Sequence, residues 1–290
     1  MAFRFDDDYR ARLLALPTLV RRGGGSPEGA AGGLKGGRVE FHDHRPYVQG
    51  DDVRDVDWHG YLRLDQLLVK EYAKDEAPEV VIVLDRSASM GAGGSSKDRV
   101  AREVAGGLAY VALAARCPAA VMVCAEGGPV TVGSWRSHRK IDHVLSLIEG
   151  LGDPDGRTHL AGLRHLRPPS ASGRVTFVLS DFLVDPLPVE VMVAIGRGAG
   201  SGCLLHVVTE EERHPVVPEA CTLVDPESHG RLVVPDGASL LQAYAEELAA
   251  HEEAVARLAG AHRIGFGRVG DVHLFERTIV DVLAERGARS

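Results

Sequence analysis

The sequence predicts an α/β fold, doubly wound with a mainly parallel sheet, and a small N-terminal module ahead of it. From Pro78 onward, short β-branched apolar runs alternate with amphipathic helical stretches, the pattern of a parallel sheet covered by helices. The runs are apolar throughout, as expected for strands buried on both faces. The chain has 290 residues, 44% of them hydrophobic, so a sizeable core can form.

The predicted strands of this region are residues 80–84, 120–124, 175–179, 204–208 and 264–268. Helical spacing of apolar residues predicts four helices, of which the first two pack on the sheet. Their apolar positions are Val100, Val104, Leu108, Val111 and Ala115; Ile141, Val144, Leu145 and Ile148; Leu241, Tyr244, Leu248, Val255 and Leu258; and Phe275, Ile279 and Val282. We interpret His251, on the third of these helices, as a histidine at the edge of the core rather than a ligand.

The chain ahead of the sheet divides into two predicted segments. Residues 1–37 combine a short helix over residues 7–16, stopped by Pro17, with a glycine-rich linker over residues 23–37. Residues 38–76 form a module dense in charges and aromatics, with strand-like pieces at 39–41 and 67–72. The sheet domain then spans residues 77–290 and includes a hairpin at about residues 219–235.

Charge and hydropathy argue against two classes of partner. The net charge of −8 disfavours a general nucleic-acid or anionic-membrane binder, because both depend on a basic surface. No apolar run approaches the ~20 residues that a membrane helix needs, and the charged N-terminus is not a signal peptide.

The four cysteines are far apart and lack CxxC spacing; they are Cys117, Cys124, Cys203 and Cys221. We expect buried free thiols, and hence a cytoplasmic protein.

One apolar strand ends in a run of oxygen-bearing side chains. Residues 81–84 lead directly into Asp85-Arg86-Ser87-Ala88-Ser89. In an open parallel sheet, ligands bind beyond the carboxyl ends of the strands, where loops from different strands converge. Asp85, Ser87 and Ser89 are therefore expected to line such a crevice.

Two further segments can reach the same crevice. Thr158 precedes a predicted helix that begins at His159, and Asp181 follows the apolar strand over residues 175–179. Hydroxyl and carboxylate oxygens, without sulfur or imidazole, are the ligands of a hard cation. The alternative is that serine and glycine only build loops here, as the composition of residues 91–96 would allow. The context of Thr158 and Asp181 favours the metal site.

The order Asp-x-Ser-x-Ser, then a Gly-x-Thr turn, then an Asp after a strand resembles the metal-ion-dependent adhesion site (MIDAS) of von Willebrand factor A-type domains. The resemblance implies a von Willebrand factor A-like, Rossmann-like fold whose site holds Mg²⁺, or else Mn²⁺ or Ca²⁺. It also implies that Ser87, Ser89 and Thr158 contact the ion directly, while Asp85 and Asp181 hold it partly through water. Two carboxylates balance a divalent ion and leave one coordination position open to a partner's Asp or Glu.

A longer motif precedes the sheet. It runs Arg45-Pro-Tyr47-Val-Gln-Gly50-Asp51-Asp52-Val-Arg54-Asp-Val-Asp57-Trp58, followed by Arg63, and resembles the signature of the family called domain of unknown function 58. The segment Asp225-Pro226-Glu227-Ser228 resembles that family's Asp-Pro-Glu-Thr hairpin, with Ser in place of Thr. The two resemblances together extend from about Arg38 to the C-terminus.

Proteins of that family are generally paired with a MoxR-type AAA+ ATPase. The resemblance therefore implies such a partner, and an adaptor role in the maturation or remodelling of a client protein that offers an acidic residue. The charged signature residues either dock the N-terminal module through internal ion pairs or form a partner surface. Interleaved opposite charges favour internal docking, with Tyr47 and Trp58 as anchors.

An enzyme is the main alternative. A phosphotransferase of the haloacid dehalogenase type uses an Asp at the end of the first strand as nucleophile, and Asp85 has that position. Such enzymes need a second Asp two residues later, where this chain has Ser87. The sequence also lacks a Gly-x-Ser-x-Gly elbow and a Gly-x-x-x-x-Gly-Lys-Ser/Thr loop, and His42 and His44 lack further zinc ligands. We therefore expect a binding protein.

Overall fold

The computed structural model describes residues 3–22, 39–48, 56–58, 61, 66–74, 77–91, 96–124, 128–154, 156, 159–168, 173–184, 189–196, 201–218, 220–270 and 275–287. The chain divides into two compact units. The large unit is Met1–Leu34 with Pro78–Ser290, and the small unit is Lys35–Ala77. The predicted linker over residues 23–37 lies outside the described residues.

The small unit contains an antiparallel pair of strands, β1 (Val39–Pro46) and β2 (Leu68–Lys74). Both predicted strand-like pieces are therefore confirmed, and both strands are longer than the apolar pattern indicated. The register is irregular between Phe41 and Asp43, which is the kind of break that a β-bulge produces.

A six-stranded sheet forms the centre of the large unit. Its strands are β3 (Glu79–Leu84), β4 (Ala119–Val123), β5 (Val130–Trp135), β6 (Arg174–Ser180), β7 (Ser201–Val207) and β10 (Gly265–Val269). They lie in the order β10-β7-β6-β3-β4-β5, and each neighbouring pair is parallel except β4 with β5. A separate antiparallel hairpin, β8 (Cys221–Val224) and β9 (Arg231–Val234), confirms the hairpin predicted at residues 219–235.

Helices cover both faces of this sheet. They are α1 (Asp7–Arg22), α2 (Ala88–Gly91), α3 (Ser96–Ala114), α4 (Ile141–Glu149), α5 (Val189–Gly196), α6 (Glu210–Arg213), α7 (Gly237–Ala261) and α8 (Phe275–Gly287). Helix α3 packs on β3, β4, β6 and β7 and also contacts α1, α4 and α8. Its contact with α8 is close: a Cβ at Gly107 would lie 2.4 Å from Ile279 Cδ1. The other face shares a core with α5, α7 and the 3-10 turn Leu160–His165.

All five strands predicted for the sheet are confirmed, with ends displaced by a few residues. Strand β5 and helix α5 were missed. The edge strand β5 contains Gly133 and Ser134, which weaken a strand pattern, and the β-branched sequence of α5 is not typical of a helix. The helix predicted to begin at His159 is instead a 3-10 turn.

The predicted end of the first helix at Pro17 is wrong, because α1 continues through Pro17 to Arg22. The side chains of Leu13, Leu16 and Val20 are each at most 3% exposed. Packing of these side chains offsets the roughly 3 kcal/mol cost of an interior proline. The Tyr9 hydroxyl also donates a 2.6 Å hydrogen bond to the Glu103 carbonyl, so α1 belongs to the core of the large unit.

The cysteine prediction is confirmed in large part. All four cysteines are free, with Cys117, Cys124 and Cys203 buried and Cys221 half-buried. None of the described helices combines the length and apolar character that crossing a bilayer requires.

Candidate metal centre

Asp85 and Asp181 follow neighbouring strands at one edge of the sheet. Strands β3 and β6 pair in parallel with Leu84 opposite Leu179, so the residues after them emerge side by side. The Asp85 N–H donates a 3.0 Å hydrogen bond to the Leu179 carbonyl, which continues the ladder past the end of β3. The two acidic residues are only 1% and 4% exposed. Burial of two carboxylates is costly unless other groups balance their charge.

The carboxylate of Asp85 is held from both sides. Its Oδ1 accepts a 3.0 Å hydrogen bond from the Ser87 N–H, and its Oδ2 accepts a 2.6 Å hydrogen bond from the Ser180 hydroxyl. Ser180 Oγ in turn accepts a 2.8 Å hydrogen bond from the Phe182 N–H. Burial raises the pKa of Asp85, and the charge of Asp181 adds to the rise, while these hydrogen bonds oppose it.

The two serines of the motif lie against each other. Ser87 and Ser89 are 0% and 7% exposed, and their hydroxyl oxygens are 3.0 Å apart. A tight turn brings them together, because the Met90 N–H donates a 3.0 Å hydrogen bond to the Ser87 carbonyl as α2 begins. Two hydroxyls and a carboxylate within one short loop thus converge beyond the end of β3.

Thr158 lies outside the described residues, but Gly156, two residues earlier, is hydrogen-bonded to the same loop. The Gly156 carbonyl accepts a 2.6 Å hydrogen bond from the Ala88 N–H. Earlier in the chain, the buried guanidinium of Arg102 donates to the carbonyls of Ile148 and Gly152, at 2.7 and 2.5 Å. Arg102 therefore helps to hold the backbone at Ile148 and Gly152, and Arg86 also donates to the Gly152 carbonyl.

A lysine on α3 balances Asp181. Lys97 Nζ lies 2.9 Å from Asp181 Oδ2 and 2.7 Å from Glu212 Oε1, and the lysine is 2% exposed. Burial alone would lower the pKa of Lys97, but Asp181 and Glu212 outweigh it and raise the pKa. Glu212 is itself positioned by a capping box with Thr209 at the start of α6.

The donor set fits a hard cation. Among the described residues, no three His, Cys, Asp or Glu side chains are grouped to hold a metal. An ion at this edge would therefore depend on the hydroxyls of Ser87 and Ser89 together with Asp85 and Asp181. Such an all-oxygen set suits Mg²⁺, Mn²⁺ or Ca²⁺ better than a soft metal.

A family model described as "Protein of unknown function DUF58" matches residues 43–254. The chain belongs to the DUF58 family. The match includes Asp85, Ser87, Ser89, Thr158 and Asp181 and begins just ahead of the N-terminal signature that starts at Arg45. No curated protein matches this DUF58 chain.

Two solved structures are similar to this DUF58 protein at low identity. One is the conserved hypothetical protein BatB from Bacteroides thetaiotaomicron, with 17% identity and a TM-score of 0.44. The other is an aerotolerance-related membrane protein from Bacteroides fragilis, with 16% identity and a TM-score of 0.42. Each match covers 73% of this chain and 99% of the other.

The DUF58 signature is described only in part. Arg45 lies in β1 opposite Val69, and the Tyr47 N–H donates a 2.9 Å hydrogen bond to the Leu67 carbonyl. Asp57 is half-buried, while Trp58, expected as an anchor, is 54% exposed and meets Tyr61 edge-on at 6.4 Å. Gly50, Asp51, Asp52, Arg54 and Arg63 lie outside the described residues. The docking role of the signature stays a prediction.

The hairpin motif of the family forms the β8–β9 turn. Asp225 Oδ1 accepts a 2.9 Å hydrogen bond from the Glu227 N–H, and Ser228 also donates to this carboxylate. These hydrogen bonds, that of Ser228 first, lower the pKa of Asp225. Asp225 thus shapes the turn through its own side chain, as an aspartate at such a position commonly does.

Sequence reasoning gave no role to three residues of the centre, namely Ser180, Lys97 and Glu212. Ser180 had a usable signal, because it stands between an apolar strand and Asp181. Lys97 and Glu212 had none, since Lys97 meets Asp181, and Glu212 meets Lys97, only through tertiary packing. His251 is half-buried, and its Nε2 lies 3.1 Å from the Asp181 carbonyl oxygen, which fits the expected histidine at the edge of the core.

Proposed function

We propose that this DUF58 protein is a non-enzymatic, metal-dependent protein-binding adaptor of the cytoplasm. It resembles von Willebrand factor A-type domains in its site residues, and it would work with a MoxR-type AAA+ ATPase on client proteins. The observation that supports the proposal is that the Asp85-to-Ser89 loop and Asp181 follow the carboxyl ends of two neighbouring parallel strands, β3 and β6. That edge is where open parallel sheets bind ligands.

The proposed binding chemistry follows from charge. Asp85 and Asp181 would balance a divalent ion, with Ser87, Ser89 and Thr158 as neutral ligands. A small hard cation commonly keeps open or water-filled positions at such a site. An Asp or Glu of the partner would take one of those positions, so that the ion joins the two proteins.

Calorimetric titration with Mg²⁺ and Mn²⁺ tests the ion site. We expect Asp85→Asn and Asp181→Asn each to abolish measurable binding, because each removes one of the two negative charges. Asp142→Asn is the matched control, since its side chain is 82% exposed in a surface pair with Arg10, and it should bind like the wild type. Undiminished affinity in both site variants, with folding intact, would rule out this metal centre.

Partner binding tests the adaptor role. A purified MoxR-type ATPase should bind the wild-type protein, and EDTA, Thr158→Ala and loss of one partner Asp or Glu should each weaken that binding. The three effects should not add, because all of them break one linkage. Contact made only by the charged signature would survive EDTA and fall with salt, since exposed ion pairs are screened beyond a Debye length of ~8 Å. Binding in EDTA that Thr158→Ala leaves unchanged would refute metal-bridged recognition.

The haloacid dehalogenase alternative makes a contrasting prediction. Such an enzyme needs an acid two residues after Asp85, and Ser87 there is a buried hydroxyl 3.0 Å from Ser89 Oγ. We expect no phosphatase or esterase turnover above a Ser87→Ala control on generic substrates. Metal-dependent turnover that Asp85→Asn abolishes would replace the adaptor proposal with this one.

A further inference from the structure

Lys97 is an unusual residue for the interior. Lysine is almost never fully buried unless it is paired, and Lys97 is 2% exposed in the first turn of α3. Its ammonium lies 2.9 Å from Asp181 Oδ2 and 2.7 Å from Glu212 Oε1. Helix α3 is packed between the sheet and other helices, so the backbone that carries Lys97 is held in place.

The charges of this group are unequal in number. Asp85, Asp181 and Glu212 carry three negative charges, and Lys97 carries one positive charge. The ammonium of Lys97 is paired with Asp181, the carboxylate that is expected to help balance the charge of the ion. The remaining oxygen of Asp181, Oδ1, accepts a 3.4 Å hydrogen bond from the Leu183 N–H. Lys97 and a divalent cation would therefore act on the same carboxylate.

A cavity borders this part of the centre. Lys97, Asp181 and Glu212 line a cavity of about 320 Å³ together with Tyr244 and His251. The Lys97–Asp181 pair therefore lies at the wall of a cavity.

We propose that Lys97 is a built-in counter-charge of the centre, which neutralises Asp181 when no ion is bound and lowers the affinity for divalent cations. The inference rests on the proposed function, because it concerns the same site. A fixed positive charge a few ångströms from Asp181 repels an incoming dication, and this repulsion is stronger in a buried site than in water. Lys97 thus sets the ion concentration at which the adaptor becomes competent to bind.

The first test is titration of Mg²⁺ and Mn²⁺ into the wild type, Lys97→Met and Lys97→Arg at constant pH and salt. Methionine keeps the apolar stem and removes the charge. We expect Lys97→Met to bind at least about tenfold more tightly and Lys97→Arg to bind like the wild type. Arg257→Met, which removes a charge from a side chain that is 67% exposed, is the control for net charge and should change nothing.

The second test is thermal unfolding in EDTA and in saturating Mg²⁺. In EDTA, Lys97→Met should unfold at a lower temperature than the wild type, because Asp181 and Glu212 lose their counter-charge. Mg²⁺ should raise the Tm of Lys97→Met by more than it raises that of the wild type, since tighter ligands stabilise the native state more. If Lys97→Met alone does not fold, Glu212→Gln is compared with Lys97→Met/Glu212→Gln. The double variant should then show the larger rise in Tm with Mg²⁺.

The outcomes separate this inference from the proposed function. Wild-type affinity in Lys97→Met would overturn the role of Lys97 and leave the metal-dependent adaptor standing. Binding in Lys97→Met but not in the wild type would support the role of Lys97 and refute metal dependence of the natural protein. Absence of ion binding and of any Mg²⁺-induced Tm shift in every variant would overturn both.

Discussion

The hydroxyl of Ser180 donates a 2.6 Å hydrogen bond to Oδ2 of Asp85 and so ties the end of β6 to the end of β3. Both residues are at most 1% exposed. A hydrogen bond to a buried carboxylate is stronger than one between neutral groups, because the acceptor carries a full charge. This contact positions the first acidic residue of the candidate centre relative to the loop that carries the second.

Ser180→Ala should therefore lower the free energy of unfolding by about 1.5–3 kcal/mol, since the Asp85 carboxylate loses a charge-assisted hydrogen bond without access to water. Ser146→Ala removes an exposed hydroxyl that donates to the Asp142 carbonyl on α4, and it should change stability by less than about 0.5 kcal/mol. Urea unfolding of both variants measures the difference. Equal small effects would show that the Ser180 contact contributes little.

Arg102→Met should destabilise the protein by about 3–5 kcal/mol, because it leaves the buried Asp98 with a reduced counter-charge and takes one donor from each of two carbonyls, those of Ile148 and Gly152. Arg277→Met is the control, since Arg277 is 77% exposed in a helical pair with Asp281, and it should cost about 0–1 kcal/mol. Guanidinium unfolding at fixed pH compares them. A small loss in Arg102→Met would mean that the segment from Ile148 to Gly152 does not depend on this residue.

Leu16→Ala tests whether α1 belongs to the core of the large unit. Leu16 is 0% exposed, so its truncation should cost about 2–5 kcal/mol. Leu14, two residues earlier on the same helix, is 68% exposed, and Leu14→Ala should change stability by less than about 0.5 kcal/mol. Thermal unfolding of the two variants decides the matter, and matching Tm values would contradict the packing of α1.

Thiol labelling tests the burial of the cysteines. Burial raises the pKa of Cys117 to about 11 and also raises the pKa of Cys124, and the thiolate is the reactive form. A colourless disulfide reagent should therefore label one thiol rapidly in the native protein, that of the half-buried Cys221, and all four in urea. Cys221→Ser should abolish the rapid phase. Rapid labelling that persists in this variant would contradict the assignment.

The sequence was informative wherever the signal is local. Asp85 and Asp181 can be recognised because polar side chains directly follow an apolar strand in each case. Parallel strands have their carboxyl ends on the same side of the sheet, so residues that follow such strands lie on that side. The regular apolar spacing in α3 and α7 predicts which face of each helix turns toward the core, because residues three or four apart lie on one side of a helix. The hairpin near Asp225 also follows from turn-forming residues between two short strands.

Local signals failed where packing outweighs intrinsic preference. Pro17 reads as the end of a helix, yet burial of Leu16 and Val20 carries α1 past it. The β-branched sequence of α5 reads as a strand, yet its buried residues Val191, Met192 and Ile195 pack on the sheet as a helix. In both cases the free energy gained by burying apolar side chains exceeds a propensity cost of a few kcal/mol.

The sequence by itself determined the α/β fold class, the positions of five strands and the polar residues that follow two of them, because each depends on neighbours along the chain. Only the tertiary structure decided that Lys97 pairs with Asp181, 84 residues later, and with Glu212. Electrostatic pairing depends on distance in space, and no periodicity in the sequence records which helix will bring a lysine to a strand end. The charge balance of the candidate centre is therefore a property of the folded chain.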